Sequence, residues 1–142
     1  MVKGVRVELG DWAAMRSRAE PVRFRVFVEE QKVPAEIELD EFDPVCVHAL
    51  ACDADGRVLG TGRLLPDGHI GRMAVLREAR GAGVGSALLR ALMQAARLRG
   101  DRAVQLSAQT HAIAFYERFG FAAEGEEYDD AGIPHRMMRR AV

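Results

Sequence analysis

The sequence predicts a single α/β domain spanning residues 1–142, on three observations. Several short segments alternate apolar and polar residues between turn signals, the period of strands. One long segment, Val84 to Leu98, instead repeats its apolar residues at spacings of three and four, the period of a helix. A glycine-rich loop, Arg80-Gly81-Ala82-Gly83-Val84-Gly85-Ser86, lies where a strand gives way to that helix.

Taken in order, Val5, Val7 and Leu9 alternate as a first strand, and Asp11 is suited to cap a helix beginning near Trp12. Pro21 should break or restart that helix, because proline lacks an N–H and fits only a first turn. Phe24, Phe27 and Val28 repeat at helical spacing up to Pro34. A polar loop is expected from Ala35 to Pro44, then a strand over Val45 to Cys52. Asp53-Ala54-Asp55-Gly56 turns the chain into a return strand, Arg57 to Leu65. Pro66-Asp67-Gly68 turns it again into His69 to Val75. Beyond the Val84–Leu98 helix, closed by Gly100, come a short strand at Ala103 to Leu106 and a helix at His111 to Phe119. Phe121 to Tyr128 and Ile133 to Val142 form a closing hairpin.

Composition narrows the classes. Hydrophobic residues make up 49% and charged ones 29%, with a net charge of −1. No global field would hold this chain on nucleic acid or an anionic membrane, and neither is an expected partner. Met1 to Arg6 runs into charged residues without the apolar core of a signal peptide. No apolar run approaches the ~18 residues of a membrane span. Cys46 and Cys52 lie six positions apart in one strand-like segment, about 20 Å at full extension, too far for a disulfide. A cytoplasmic chain with reduced cysteines and no metal site is expected.

The glycine loop admits two readings: a flexible turn that starts a helix, or an anion site. Alternate glycines permit close backbone approach, and the helix start offers unpaired N–H groups and a favourable dipole. The loop lacks the Gly-Lys-Ser/Thr ending of a P-loop, and neither its spacing nor the hairpin-joined strands before it suit a Rossmann site.

Met73-Ala74-Val75 followed by Arg80-Gly81-Ala82-Gly83-Val84-Gly85 resembles the acetyl-coenzyme A signature of the GNAT acetyltransferases: Arg or Gln, two residues, Gly, one residue, then Gly or Ala. Ala112-Ile113-Ala114-Phe115-Tyr116-Glu117-Arg118-Phe119-Gly120-Phe121 resembles the family's second signature. The resemblance covers nearly the whole chain. It implies a central mixed, mostly antiparallel sheet of about six to seven strands, flanked by about four helices and splayed at strands 4 and 5. One departure is Gln109, where many members carry Asn.

The resemblance further implies roles. Main-chain amides of Gly81, Ala82, Gly83, Gly85 and Ser86, next to Arg80, would hold the pyrophosphate of acetyl-coenzyme A. Met73 and Val75 would offer main-chain groups to the pantetheine arm, and Gln109 a longer amide than usual. Tyr116 matches the family's general acid, placed to protonate the departing thiolate. The amine must lose a proton, for which Glu30 and His135 are the candidates. Neither cysteine sits in a motif suited to an acetyl-enzyme, so direct attack in a ternary complex is expected.

Seven acids between Glu29 and Asp43, and five between Glu124 and Asp130, either solvate two loops or draw a cationic amine to a pocket between them. Arg63 and Arg72 would contact an anionic part of the acceptor or pair with the acidic loop. His48 is read as structural, His69 and His111 as surface or capping residues, and Trp12 as core. The expected activity is N-acetyl transfer to a primary amine of a small molecule, with a homodimer as one candidate assembly that the sequence does not decide. A non-catalytic acyl-coenzyme A sensor and a transfer-RNA-directed toxin are the rival readings; near-neutral charge disfavours the toxin.

Overall fold

The computed structural model describes residues 4–142; the charged start of the chain, 1–3, lies outside them. Seven strands form one mixed sheet in the order β1-β2-β3-β4-β5-β7-β6. They are β1 (Arg6–Gly10), β2 (Val47–Cys52), β3 (Val58–Leu64), β4 (His69–Val75), β5 (Ala103–Gln109), β6 (Ala122–Asp130) and β7 (Ile133–Ala141). Four α-helices accompany them: α1 (Trp12–Arg23), α2 (Ala35–Glu38), α3 (Val84–Leu98) and α4 (Ile113–Glu117). Every pairing is antiparallel except β4 with β5.

Strand alternation divides β2 between two cores. Ala49 and Ala51 face one side with Leu64, Leu106 and Met138, where α3 lays down Leu88, Leu89 and Leu92. Leu50 and Cys52 face the other side, under Trp12, Met15 and Ala19 of α1. The helix α3 lies close against β3 because β3 carries glycines there. A Cβ on Gly60 would fall 3.0 Å from Leu88, and one on Gly62 would fall 3.0 Å from Leu92. The α3 bounds are those its periodicity predicts.

Four local expectations need correction. Asp11 does cap α1, accepting the Ala14 N–H at 2.9 Å, but Pro21 lies inside α1 without breaking it. The chain instead widens just afterwards into a π-helical stretch, Phe24–Glu30. Such widening lengthens the hydrogen-bonded ring and is found at functional sites. Two residues past its end, Lys32 takes a left-handed φ of 63°. The segment read as a polar loop contains α2 and a 3₁₀ turn at Asp43–Val45. The fifth strand runs three residues longer than expected, to Gln109, and the following helix is shorter, preceded by a 3₁₀ turn.

The opening of the sheet starts in β4. Thr61 pairs with Ala74 and Arg63 with Gly71, so Arg72 and Met73 together oppose the single residue Gly62. This bulge puts Arg72 at φ 48°, outside the extended region. Beta4 then pairs with β5 at two positions only, His69 with Gln105 and Ile70 with Leu106. Beyond them the two strands diverge, while β5 stays paired with β7 over its whole length.

Candidate active site

The divergence of β4 and β5 makes a cleft of about 630 Å³. Its walls include Met73 and Val75 from β4, Gln109 at the end of β5, and Tyr116 from α4. His135 from β7 and Glu30 from the π-helical stretch complete them, with Arg80 at one end. Seven of the residues singled out in the sequence as cofactor-binding or catalytic therefore line one cleft, the family-signature Met73 and Arg80 among them, while Gly81 to Ser86 are not in its walls.

Gly81 and Gly83 take left-handed φ angles of 79° and 85°, and a Cβ on either would meet nothing within 4 Å. The loop is thus an open backbone surface. Gly83 caps α3 with no side-chain hydrogen bond, and the first turn holds no acidic residue. The leading amides of a 15-residue helix are left to an external acceptor. That arrangement suits a pyrophosphate, and the residues present fit the coenzyme. Gly85 packs against α4: a Cβ there would lie 3.5 Å from Phe115. Ser86 opens onto a second hollow beside α3.

Arg80 is fixed from two sides. Its two terminal nitrogens donate to the two oxygens of Glu30 at 2.7 and 2.8 Å, and its Nε donates to the Val75 carbonyl at 3.1 Å. The Arg80 guanidinium holds the Glu30 carboxyl below the usual carboxylate range. The same pair ties the π-helical stretch to the start of the glycine loop.

Tyr116 is half-buried, with its ring edge-on to Phe115 at 5.1 Å and to Phe121 at 6.0 Å. Burial pushes its phenol up to about 12. His135 is buried, and its Nδ1 donates to the Ile133 carbonyl at 2.7 Å. In that tautomer Nε2 carries the lone pair. The His135 ring stacks on Tyr128 at 6.1 Å, and Tyr128 shares a hydroxyl–hydroxyl hydrogen bond with Ser107.

Gln109 has an unforeseen partner. Its Nε2 donates to Gln31 Oε1 at 2.9 Å, Gln31 Nε2 donates back at 3.3 Å, and His111 lies 2.7 Å from its Oε1. Neither Gln31 nor Ser107 was assigned a role from the sequence. Gln31 lies within the acid run without a pattern of its own, and Ser107 falls beyond the expected end of its strand.

The acidic segment between Glu29 and Asp43 is largely neutralised. Arg23, 1% exposed, donates to Glu38 and Asp43 at 2.7 Å each. Arg63 donates to Asp40 at 2.6 Å and to Asp43 at 2.8 Å. Arg72 reaches Asp40 at 3.3 Å and the Glu38 carbonyl at 3.0 Å. Burial disfavours charge on Asp40 and Asp43, yet these arginines outweigh it and hold both carboxyls below the usual range. The arginines pair with Glu38, Asp40 and Asp43, while Glu36 and Glu41 stay exposed on the same loop. His48 belongs to the same buried group: its Nε2 meets the Asp43 carbonyl at 2.9 Å, its ring packs on Trp12 at 4.6 Å, and burial lowers its pKa.

A mixed seven-stranded sheet, opened between β4 and β5 and fed by a glycine loop into α3, is the architecture of the GNAT class. Residues 16–142 match the acetyltransferase (GNAT) domain family. Over 123 residues the chain is 42% identical to uncharacterized N-acetyltransferase YjcF of Bacillus subtilis, covering 84% of this chain and 87% of that one. An acyl-CoA N-acyltransferase from Pseudomonas aeruginosa superposes with a TM-score of 0.84 at 39% identity, covering 97% of this chain and all of that one. Escherichia coli ElaA superposes with a TM-score of 0.82 at 29% identity, over 96% and 99% of the two chains. The chain belongs to the GNAT acetyltransferase family.

Among the described residues, no helix is long and apolar enough to cross a membrane, and no group of three or more His, Cys, Asp or Glu is placed to hold a metal ion.

Proposed function

We propose that residues 1–142 act as one cytoplasmic domain that transfers an acetyl group from acetyl-coenzyme A to a primary amine of a small molecule, by direct attack in a ternary complex. The observation that carries this reading is the cleft itself, which runs from Arg80 at the start of the glycine loop, past the unpaired stretch of β4, to Tyr116 and His135. The name of the Pseudomonas aeruginosa structure, an acyl-CoA N-acyltransferase, supports the same cofactor class.

The coenzyme supplies an activated thioester; the bond formed is acetyl carbon to amine nitrogen, and the bond broken is carbon to sulfur. The glycine loop and the first turn of α3 anchor the pyrophosphate through main-chain N–H groups. Met73 and Val75 align the pantetheine arm, and a main-chain N–H of the β4 bulge polarises the carbonyl. Such a donor contributes about 2.7–4 kcal/mol to lowering a barrier. Gln109, locked against Gln31, steadies the opposite wall. Tyr116 donates its O–H toward the sulfur as the carbon–sulfur bond breaks.

Of the two base candidates, His135 takes the amine's proton. Its Nε2 carries the free lone pair and the residue lines the cleft. Both Glu30 oxygens are engaged by Arg80, and a carboxyl held below its usual range is a poor proton acceptor; Glu30 positions Arg80 and the loop. Asp130 also lines the cleft and has no arginine partner among the described residues. It therefore offers charge to an incoming ammonium group.

The test is calorimetry with acetyl-coenzyme A, followed by an amine panel read out by free thiol. Binding followed by amine-dependent thiol release is expected. Binding without thiol release for any amine would favour the non-catalytic sensor, and absence of binding would overturn the cofactor assignment.

A further inference from the structure

The bulge in β4 decides which face of the sheet Arg72 joins. By simple alternation from Ile70, which packs under α3, Arg72 would enter that core and Met73 would turn away from it. The extra residue shifts the phase. Met73 packs with the α3 core, whereas Arg72 reaches the Ile37 and Glu38 carbonyls and Asp40 on the α1 side. Along β5, Val104, Leu106 and Ala108 take the α3 face, which leaves Ser107 on the same side as Arg72. On β7, Met138 takes the α3 face and His135, three positions back, the other, with Tyr128 stacked on it. Arg72, Ser107 and His135 thus share one polar face of the cleft, and Asp130 borders it.

Glu30 and Arg80 satisfy each other. The other formal charges in the walls are Arg72 on β4 and Asp130 at the end of β6, with β5 and β7 between them. Arg72 differs from the other arginines near the cleft. Arg23, Arg63 and Arg80 commit both terminal nitrogens to carboxylate or carbonyl oxygens. Arg72 commits Nε and Nη2, which suffice to hold the acidic segment. Its Nη1 has no partner among the described residues and is not buried, so it is the donor left for a ligand. The left-handed φ of 48° at Arg72 is a conformation that non-glycine residues rarely keep outside functional sites.

From this we infer that the acceptor is an amino acid, its carboxylate held by Arg72 Nη1 and its ammonium group drawn to Asp130 and His135. The inference deepens the proposed N-acetyl transfer and rests on it. A cation on one wall and an anion on another match a zwitterion; a polyamine would bring a second ammonium group toward Arg72 and be repelled. Arg72 already shares its charge with Asp40, so it offers directed N–H donors more than net positive charge. That suits a carboxylate, with one negative charge, better than a phosphate with nearly two. In the reaction His135 takes the ammonium proton, the amine nitrogen bonds to the acetyl carbon, and sulfur leaves as thiolate; the carboxylate is unchanged. The amide product has lost the positive charge that Asp130 attracted, which favours its release.

Free-thiol kinetics on the full chain with acetyl-coenzyme A test it. The acceptors are the protein amino acids, β-alanine and γ-aminobutyrate, each beside its carboxamide, with putrescine and O-phosphoethanolamine for comparison. The best acceptor should be an amino acid, and converting its carboxylate to the amide should lower kcat/KM by about 10-fold or more, the scale of one charge-assisted hydrogen bond. Arg72→Gln should bring acid and amide within about 2-fold of each other. A general loss of packing or of coenzyme binding would not move that ratio, because both acceptors share it. A best acceptor without a carboxylate overturns the inference and leaves N-acetyl transfer standing. So does turnover of acid and amide within about 2-fold in wild type, a result that needs no variant to fold, and so does a preference that survives in Arg72→Gln. Absence of thiol release with every amine would overturn the proposed function and this inference together.

Discussion

Asp43→Asn tests whether the acidic segment is scaffold or bait for a cationic acceptor. Asp43 is 1% exposed. One oxygen accepts from Arg23 at 2.7 Å and from Arg63 at 2.8 Å; the other accepts from Arg23 at 3.2 Å and from the Asp40 N–H at 3.1 Å. The amide exchanges one oxygen for an NH₂ that must face donors, and it removes the charge between two guanidiniums. Breaking a buried ion pair from one side costs about 3–5 kcal/mol. A chain of 142 residues unfolds with an entropy of about 0.3 kcal/mol/K, so the melting temperature should fall by about 10–17 °C. Calorimetric melts at pH 7 in low and high salt read this directly, and the drop should hardly depend on salt because the pair is buried. Glu36→Gln, exposed in the same segment, is the control and should stay within about 0.5 kcal/mol. A loss below about 3 °C for Asp43→Asn, with a raised KM for cationic amines, would refute the scaffold role.

Further outcomes concern the cleft and the thiols. Tyr116→Phe should lower kcat by about 10²–10⁴-fold, far more than it weakens coenzyme binding, and near-normal turnover with chemistry rate-limiting would reduce Tyr116 to packing. Gly83→Glu should abolish coenzyme binding in calorimetry, because it strains a φ of 85° and sets a carboxylate at the anion site; Gly83→Ala, carrying the strain without the charge, should bind more weakly than wild type but measurably. Cys46 and Cys52 should resist a thiol reagent at pH 8 until the protein is unfolded, since both are buried and burial pushes Cys46 up to about 11. A raised thiol pKa favours the neutral form on folding, so the Cys46 contribution to stability is complete below about pH 9 and is lost as pH climbs through 11. Melts between pH 8 and 11 check that sign.

What the sequence made legible was what local pattern controls. Val84–Leu98 forms a helix with the bounds its apolar spacing predicts, because one face must cover the sheet and two glycines before it, Gly81 and Gly83, permit the entry turn. Asp11 capped its helix for the same local reason. Pro21 misled because its missing N–H and its ring act on the turn before it, at Ser17, which α1 accommodates without a break, and the π-helical stretch that comes later is one that sequence periodicity does not register. The acid run misled for a different reason. Its neutralising partners Arg23, Arg63 and Arg72 lie on α1, β3 and β4, up to 35 positions from the carbonyl or carboxylate they reach. Pairing at that range is decided by the sheet, not by the neighbours of a residue. Gln31 became visible only once β5 was seen to extend to Gln109 and bring the two amides together.

The pKa of Tyr116 constrains what the proposed chemistry can ask of it. An ordinary thiol ionises near 8.5, whereas burial holds the phenol at about 12. Complete transfer of the proton from Tyr116 to a free thiolate would therefore run uphill by roughly 5 kcal/mol. The sulfur is a far stronger base while still partly bonded to the acetyl carbon and forced out by the attacking amine, and at that stage a phenol that stays protonated is the useful donor. A hydrogen bond that strengthens as charge builds on sulfur lowers the barrier without the proton leaving oxygen. The thiolate then gains its proton from solvent after departure, and Tyr116 needs no reprotonation between turnovers. The same pKa leaves the phenol intact to well above pH 10, so any alkaline fall in kcat between pH 8 and 10 must come from another group. Replacing His135 by Gln should lower kcat with coenzyme affinity nearly unchanged, and an unchanged kcat would move proton removal from the amine away from His135.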